Sequence, residues 1–396
     1  MKLAPLGGLL LAASACAGTP AAEQRTAAHA RGYYYSDDAG LSVTTGAAAV
    51  ESPVGSSTQL GVVGIVENIH IAQPEATELP GAAFGHPHHG AEPAAPGQEP
   101  DIVSSASTIA RVKSDSTLWR YEGQLHLRRG VGSSENPADI GVEARYSSEP
   151  DYRSLGVTLI GAIDLFERNL TLGGFLNAGR DTVDPEPPPP GEADEWPATH
   201  DRVYLGASFL QLLGPDTILL GTLTMGRQAG ALENPYRRVL VRTSLFPERV
   251  PDARWRFSGS LGLARYLGSG FAVHLRNGMY GDSWGVRAWI PEAALVKELG
   301  PRFVADVQGR WYSQTAATFY RHHYDDLEEN LTADVRLSSL SERALGGYLR
   351  FTVFPMSSPL GELTLDVGYE RSWLDYRELD REVTGDLLQA GVAWEP

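Results

Sequence analysis

The chain has 396 residues with 43 glycines, 26 prolines and one cysteine, and its hydrophobic content of 42% is that of a chain able to bury a large surface. Length alone would suggest two or three soluble domains, but the surface that is buried need not be a core of the chain's own. The single Cys16 excludes a disulfide framework, a thiolate metal cluster and dithiol redox chemistry, and a net charge of −16, with arginine as 30 of the 33 basic residues, argues against nucleic acid as a partner.

In chain order, Met1-Lys2, the apolar run Leu3–Ala15 and the small residues that follow form an export signal, assigned to 1–17. Ala13-Ser14-Ala15-Cys16 is a degenerate lipoprotein box. Read that way, the leader is 1–15 and Cys16 becomes an acylated first residue. Residues 18–396 form one domain. No later stretch has the uninterrupted apolar length of a spanning helix, about 18 residues.

Beyond the leader, apolar and polar residues alternate with period two, which places every second side chain on one face of a strand. Arg120, Glu122, Gln124, His126 and Arg128 alternate with Tyr121, Gly123, Leu125 and Leu127. The pattern predicts sixteen strands, at 27–36, 41–50, 58–71, 117–130, 138–148, 152–165, 168–180, 201–213, 216–227, 253–266, 270–281, 285–297, 301–314, 343–354, 362–373 and 384–394. Most are long enough to cross a bilayer when tilted, which takes about 9–11 residues. Segments 237–246 and 329–338 are read as hairpins inside loops. If the N-terminus lies in the periplasm, the long connections 72–116, 181–200, 228–252 and 315–342 all fall outside, and short turns fill the other side. Tyr33 to Tyr35, Trp119, Trp255, Trp284, Trp311, Tyr312 and Trp373 are candidates for interfacial girdles. The fold class is therefore all-β: an antiparallel up-and-down transmembrane β-barrel.

Charged side chains cannot face hydrocarbon cheaply, so the polar face must look inward. The lumen-lining candidates are Glu122, His126, Arg128, Arg254, Arg256, His274, Arg276, Arg287, Asp306, Arg310, Arg350 and Asp366, together with Arg302, Glu362 and Glu370. In loop 228–252, Asn234-Pro235 starts a turn followed by Tyr236, Arg237 and Arg238. These residues either narrow the mouth and face anionic solutes, or pack as a loop tied to acidic neighbours. His86, His88 and His89 are candidate metal ligands because neutral imidazoles suit zinc or copper. His322, His323, Asp325, Asp326, Glu328 and Glu329 form a second candidate cation site. No cofactor is expected beyond a weakly held divalent cation. No motif ties a serine or aspartate to a histidine, so the chain is read as a non-enzyme, and a barrel hydrolase using His126 or His274 is the alternative.

Gly230-Ala231-Leu232-Glu233-Asn234-Pro235-Tyr236-Arg237, Tyr280-Gly281-Asp282-Ser283-Trp284-Gly285-Val286 and Arg310-Trp311-Tyr312-Ser313-Gln314-Thr315-Ala316-Ala317-Thr318-Phe319-Tyr320 resemble an uncharacterised family of exported β-barrel proteins of Gram-negative bacteria. Asp101 to Ser107, Ser147 to Tyr152 and Arg180 to Val183 are similar to it as well. The resemblance implies an outer-membrane location and carries no catalytic or binding residue across. The His- and Pro-rich 72–100 insert departs from the family pattern. Expected partners are outer-membrane lipid and lipopolysaccharide and the barrel assembly machinery; the oligomeric state is not legible. A channel or uptake protein for small solutes is the first functional reading, and a plugged barrel acting as scaffold, adhesin or assembly partner is the second.

Overall fold

The computed structural model describes residues 26–71, 116–185 and 196–396. The strands are β1 (Ala27–Asp37), β2 (Leu41–Val54), β3 (Thr58–Ile71), β4 (Ser116–Gly132), β5 (Pro137–Ser148), β6 (Tyr152–Leu165), β7 (Leu170–Val183), β8 (Ala198–Gly214), β9 (Thr217–Gly230), β10 (Arg238–Val241), β11 (Ser244–Pro247), β12 (Ala253–Gly268), β13 (Phe271–Asp282), β14 (Arg287–Glu298), β15 (Phe303–Gln314), β16 (Leu340–Phe354), β17 (Glu362–Tyr376) and β18 (Arg381–Glu395). All but β10 and β11 join one closed antiparallel sheet of sixteen strands, in which β9 pairs with β12 and β18 closes onto β1. The closing register runs from Ala28 opposite Trp394 to Asp37 opposite Gly385. Closure matters because a free edge would leave a row of unpaired N–H and C=O groups.

Every strand of the barrel lies where the alternation placed it, and no strand end moves by more than four residues. The 237–246 hairpin is present as β10–β11. Residues 329–338 do not form a hairpin. They make isolated bridges, Leu331 to Arg249 and Thr332 to Tyr320, and then a 3-10 turn at Val335–Leu337.

The two ends of the barrel differ. One end carries only the turns 55–57, 133–136, 166–169, 215–216, 269–270, 299–302 and 355–361; the other carries the connections after β3, β7, β9 and β15. The first is called here the turn end, the second the loop end. The turns are tight enough to require glycine in places: Gly361 has φ of +77°, and a Cβ there would collide with the Glu395 carbonyl.

Alternation separates the two faces of the sheet. On β4, Tyr121, Leu125 and Leu127 are exposed on the outside, whereas Glu122 is buried and His126 is largely covered inside. On β17, Leu365, Val367 and Tyr369 face out while Glu370 and Ser372 are buried. The outer surface stays apolar on strand after strand, reaching 66% exposure at Leu223 and 57% at Leu155. Soluble monomers rarely leave so continuous an apolar surface in water, and a hydrocarbon layer is the environment that covers it.

The aromatic girdle is narrower than the sequence suggests. Tyr34, Trp119, Trp255 and Trp311 are exposed on the outer surface, joined by Tyr121, Tyr146 and Trp289. Tyr35 and Trp284, in contrast, are buried, and Tyr312 packs inside against Leu340 and Leu374. The reason is period two: a neighbour of an outward residue points inward, so a run of aromatics cannot all reach one interface.

Arginine in place of Leu223, midway along β9, should destabilise the bilayer-inserted barrel by about 2–4 kcal/mol. Urea titration in liposomes, followed by tryptophan fluorescence, measures this. Unchanged stability would mean that this face does not contact lipid.

Candidate functional site: a charged lumen under a loop lid

The lumen is organised as a chain of ion pairs between neighbouring strands. On β2–β5, Glu122 is the node: its Oε2 accepts from Arg120 Nη2 at 2.6 Å and Arg145 Nη2 at 2.8 Å, and its Oε1 accepts from Gln124 Nε2 at 2.8 Å. Arg120 also donates to Glu67 at 2.9 Å and to Ser147 Oγ at 3.1 Å, and Glu67 accepts from Thr45. On β6–β8, Asp181 bridges Arg202 and His200, with His200 Nε2 at 2.8 Å, and Arg202 donates to Ser154 Oγ at 3.1 Å. Arg202 and Asp181 have side chains fully withdrawn from water. A Cβ at Gly179 would lie 2.5 Å from the Arg202 guanidinium, so glycine there makes the slot in which the cation lies.

The other wall repeats the scheme. Arg254 pairs with Asp282 and lies 4.2 Å above the Trp284 ring, a cation–π contact. Arg276 Nη2 meets Glu292 Oε2 at 2.5 Å, and Arg310 Nη2 stands 3.0 Å from Glu342 and 3.7 Å from Glu370. Nearer the turn end, Arg31 faces Asp366 at 3.5 Å and His126 Nε2 faces Glu51 at 3.3 Å. Removing one partner of a buried pair would strand an uncompensated charge, so these pairs hold the walls in fixed relation.

Among the sequence candidates, Glu122, His126, Arg128, Arg254, Arg256, His274, Arg276, Asp306, Arg310, Arg350 and Asp366 stand on the inward set of their strands, as do Glu362 and Glu370. Arg287 does not. It is exposed on the same outward set as Trp289, while Ala288, Ile290, Ala294 and Val296 face in. With both faces of β14 largely apolar, polarity could not tell one from the other there, and at the loop-end rim an outward arginine is beyond the hydrocarbon. Arg302 lies exposed in the turn before β15. Sequence reasoning passed over several partners in these pairs, among them Arg31, Glu67, Arg145 and Glu292 and the trio Asp181, His200 and Arg202. The ladder continues past the assigned strand ends at 180 and 201, and the signal was the continued alternation of His200, Arg202 and Tyr204 against Asp201, Val203 and Leu205, which outward Asp201 obscured.

Two loops build a lid at the loop end. Asn234, Tyr236, Arg237 and Arg238, expected at the mouth, are part of it, but Arg237 does not face solutes. It is 3% exposed, with Nη1 at 2.7 Å from Glu248 Oε1 and 3.0 Å from Asp334 Oδ2. Asn234 Oδ1 accepts from the Tyr236 N–H at 2.9 Å, the Asx turn expected before a tight bend, and Arg238 donates to the Pro235 and Arg237 carbonyls. Glu248 also accepts from the Asn234 N–H and from Thr332 Oγ1. The 231–252 and 315–339 connections are therefore one unit, with Val239, Val241, Tyr324, Leu331 and Ala333 as its own apolar core.

The lid reaches across the mouth rather than standing clear of it. Leu337 packs with Trp284, Val286 and Phe319 near β13 and β14. Val335 packs with Leu340, Leu374, Tyr376, Val383 and Ala39, which belong to β16, β17, β18 and the β1–β2 turn. These contacts run over consecutive strands from β13 round to β1, nearly half of the circumference. The β2–β8 arc is the side left without these contacts among the described residues, and it carries the Glu122 and Asp181 clusters.

The cation candidates lie elsewhere. His86, His88, His89 and Cys16 are outside the described residues. His322, His323, Asp325, Asp326, Glu328 and Glu329 are exposed, Arg242 takes Asp326, and no three metal-ligating side chains converge among the described residues. His126 pairs with Glu51, and His274 stands in register between Ala264 and Ala294.

Burial alone would raise the Asp334 carboxyl, but the charges of Arg237 and Arg336, with hydrogen bonds from Arg336, outweigh it and hold the group well below the ordinary carboxylate range. A carboxyl lowered on folding stabilises the lid fully above its unfolded value of about 3.9 and loses that contribution as pH falls below it. Limited proteolysis of 231–252 and 315–339 should therefore be slow at neutral pH and accelerate below about pH 4. Arg237→Met, which leaves Glu248 and Asp334 buried without their shared cation, should destabilise the lid by about 3–5 kcal/mol and allow cleavage at neutral pH. Equal cleavage rates at all these conditions would count against the ion cluster as the lock.

The fold is similar to that of several solved barrels. The ferric enterobactin receptor of Pseudomonas aeruginosa matches with 10% identity and a TM-score of 0.44, over 89% of this chain and 54% of the receptor. A bacterial polysaccharide outer membrane secretin matches with 8% identity and a TM-score of 0.49, over 94% and 99% of the two chains. The CymD monoaromatic hydrocarbon channel matches with 10% identity and a TM-score of 0.43, over 94% and 89%. This chain spans about half the length of the enterobactin receptor. No curated protein matches the sequence. The family described as "Protein of unknown function (DUF3570)" matches residues 12–356, most of the chain, and the protein belongs to that family.

Proposed function

We propose that the protein is an outer-membrane channel or uptake protein for small solutes. The observation that carries this reading is the state of the inner wall. Arg31, Glu67, Arg145, Arg276 and Glu292 all point into the barrel, are ion-paired, and still keep 16–21% of their side-chain surface accessible. Charged groups paired across a dry core would all be sealed, as Asp181 and Arg202 are; these keep accessible surface, in a barrel whose sixteen strands leave room for water. Rings of charge at a water-filled passage order the field along it and bias which ions enter. The apolar outer face, the aromatic girdles and the segregation of long loops to one end support an outer-membrane setting with the turn end in the periplasm.

A plugged barrel whose loops are the working surface is the second reading, favoured by the lid over β13–β1. Planar-bilayer recording separates the two. The folded, purified protein is expected to open discrete steps, and Glu67→Gln, which removes a lumenal negative charge, should move the reversal potential toward anions. Folded protein that inserts and never opens would overturn the channel reading in favour of the plugged one.

A further inference from the structure

Near the loop end, the outer surface of β14–β17 carries a cluster of three arginines that neither the lumen nor the lid uses. Arg287 begins β14 and is exposed. Arg343 on β16 is in register with Trp311 of β15 and Trp373 of β17, with 61% of its side chain exposed. Arg377, just past β17, reaches back across the face and donates from Nη2 to Ser313 Oγ at 3.1 Å. Ser313 is itself in register with Trp289 of β14 and Ser341 of β16. Three arginines on three separate segments thus flank the outward Ser313 and Ser341, with Trp289 level with these serines, Trp311 level with Arg343 and Leu345 one outward position further toward the turn end. The carboxylates nearby are Glu382, 3.7 Å from Arg343 and half exposed, Asp375, in register with Ser341, and Glu378, which accepts from the Ser339 N–H at 3.5 Å.

The position of this cluster decides its ligand. It lies where the apolar band gives way to water, and the anion found at that depth is the phosphate of a lipid headgroup. Guanidinium forks match phosphate oxygens two at a time, hydroxyls add donors, and indoles at the interface present an apolar body to acyl chains below and a polar edge above. A free phosphate would use the arginines but would have no use for the exposed Trp289 and Trp311 among them and Leu345 below.

We propose that Arg287, Arg343 and Arg377, with Ser313 and Ser341, bind the phosphate of an anionic glycolipid or phospholipid in the leaflet at the loop end. The proposal rests on the membrane-spanning reading, and liposome flotation of the full chain tests that separately: protein that does not float overturns the spanning reading itself. For inserted, gel-shift-verified protein in non-ionic detergent, native mass spectrometry compares retention of bisphosphorylated lipid A with the same glycolipid after enzymatic dephosphorylation. The wild type should retain the phosphorylated form roughly tenfold better, and the R343Q/R377Q double variant should lose the preference. Arg129→Gln, an outward arginine at the turn end, should behave as wild type. Equal retention of the two lipids by the wild type, an unchanged preference in the double variant, or loss of the preference in Arg129→Gln would overturn the site. Displacement of lipid A by millimolar inorganic phosphate would overturn the assignment to lipid.

Discussion

Backbone N–H and C=O groups placed in hydrocarbon have no water to turn to, and each one left unpaired costs several kcal/mol. The pairing of β1 with β18, residue for residue from Ala28–Trp394 to Asp37–Gly385, satisfies that demand by leaving no edge strand in the barrel. Once the sheet is closed, the period of two does the rest. One face of every strand is outside and one is inside, so each apolar residue outside fixes a neighbour that must be accommodated within.

That inversion explains why the interior is so heavily charged. The inward positions cannot all be filled by packed apolar side chains in a barrel of this width, and the chain places arginines and carboxylates there in cross-strand pairs. Glu122 between Arg120 and Arg145, Asp181 between Arg202 and His200, and Arg310 beside Glu342 and Glu370 are variations on one device. Such pairs bind neighbouring strands laterally while leaving polar atoms for water. The same residue type has a different setting outside: Arg287 and Arg343 point outward near the loop end, among Trp289, Trp311 and Trp373.

The lid is a third environment, because it is neither lipid-facing nor part of the barrel wall. It has a small apolar core around Leu331 and Tyr324 and a buried ion cluster at its centre, and it is tied to the wall by Val335 and Leu337. Among the described residues it packs over the strands from β13 round to β1, and the wall with the Glu122 and Asp181 clusters lies outside those contacts.

The sequence by itself determined the strands and most of their faces, because period-two alternation is a local property: a side chain's direction follows from its neighbour's. Where alternation was two-sidedly apolar, as on β14, it could not say that Arg287 points out, and where an outward carboxylate broke the pattern, as at Asp201, it began the strand too late. What only the tertiary structure decided is everything that depends on residues far apart in the chain meeting. Arg237 meets Asp334, Arg377 meets Ser313, and Val335 joins an apolar cluster with Ala39 because pairing and closure of the sheet bring distant segments together, and no short window of sequence contains both members of any of these pairs.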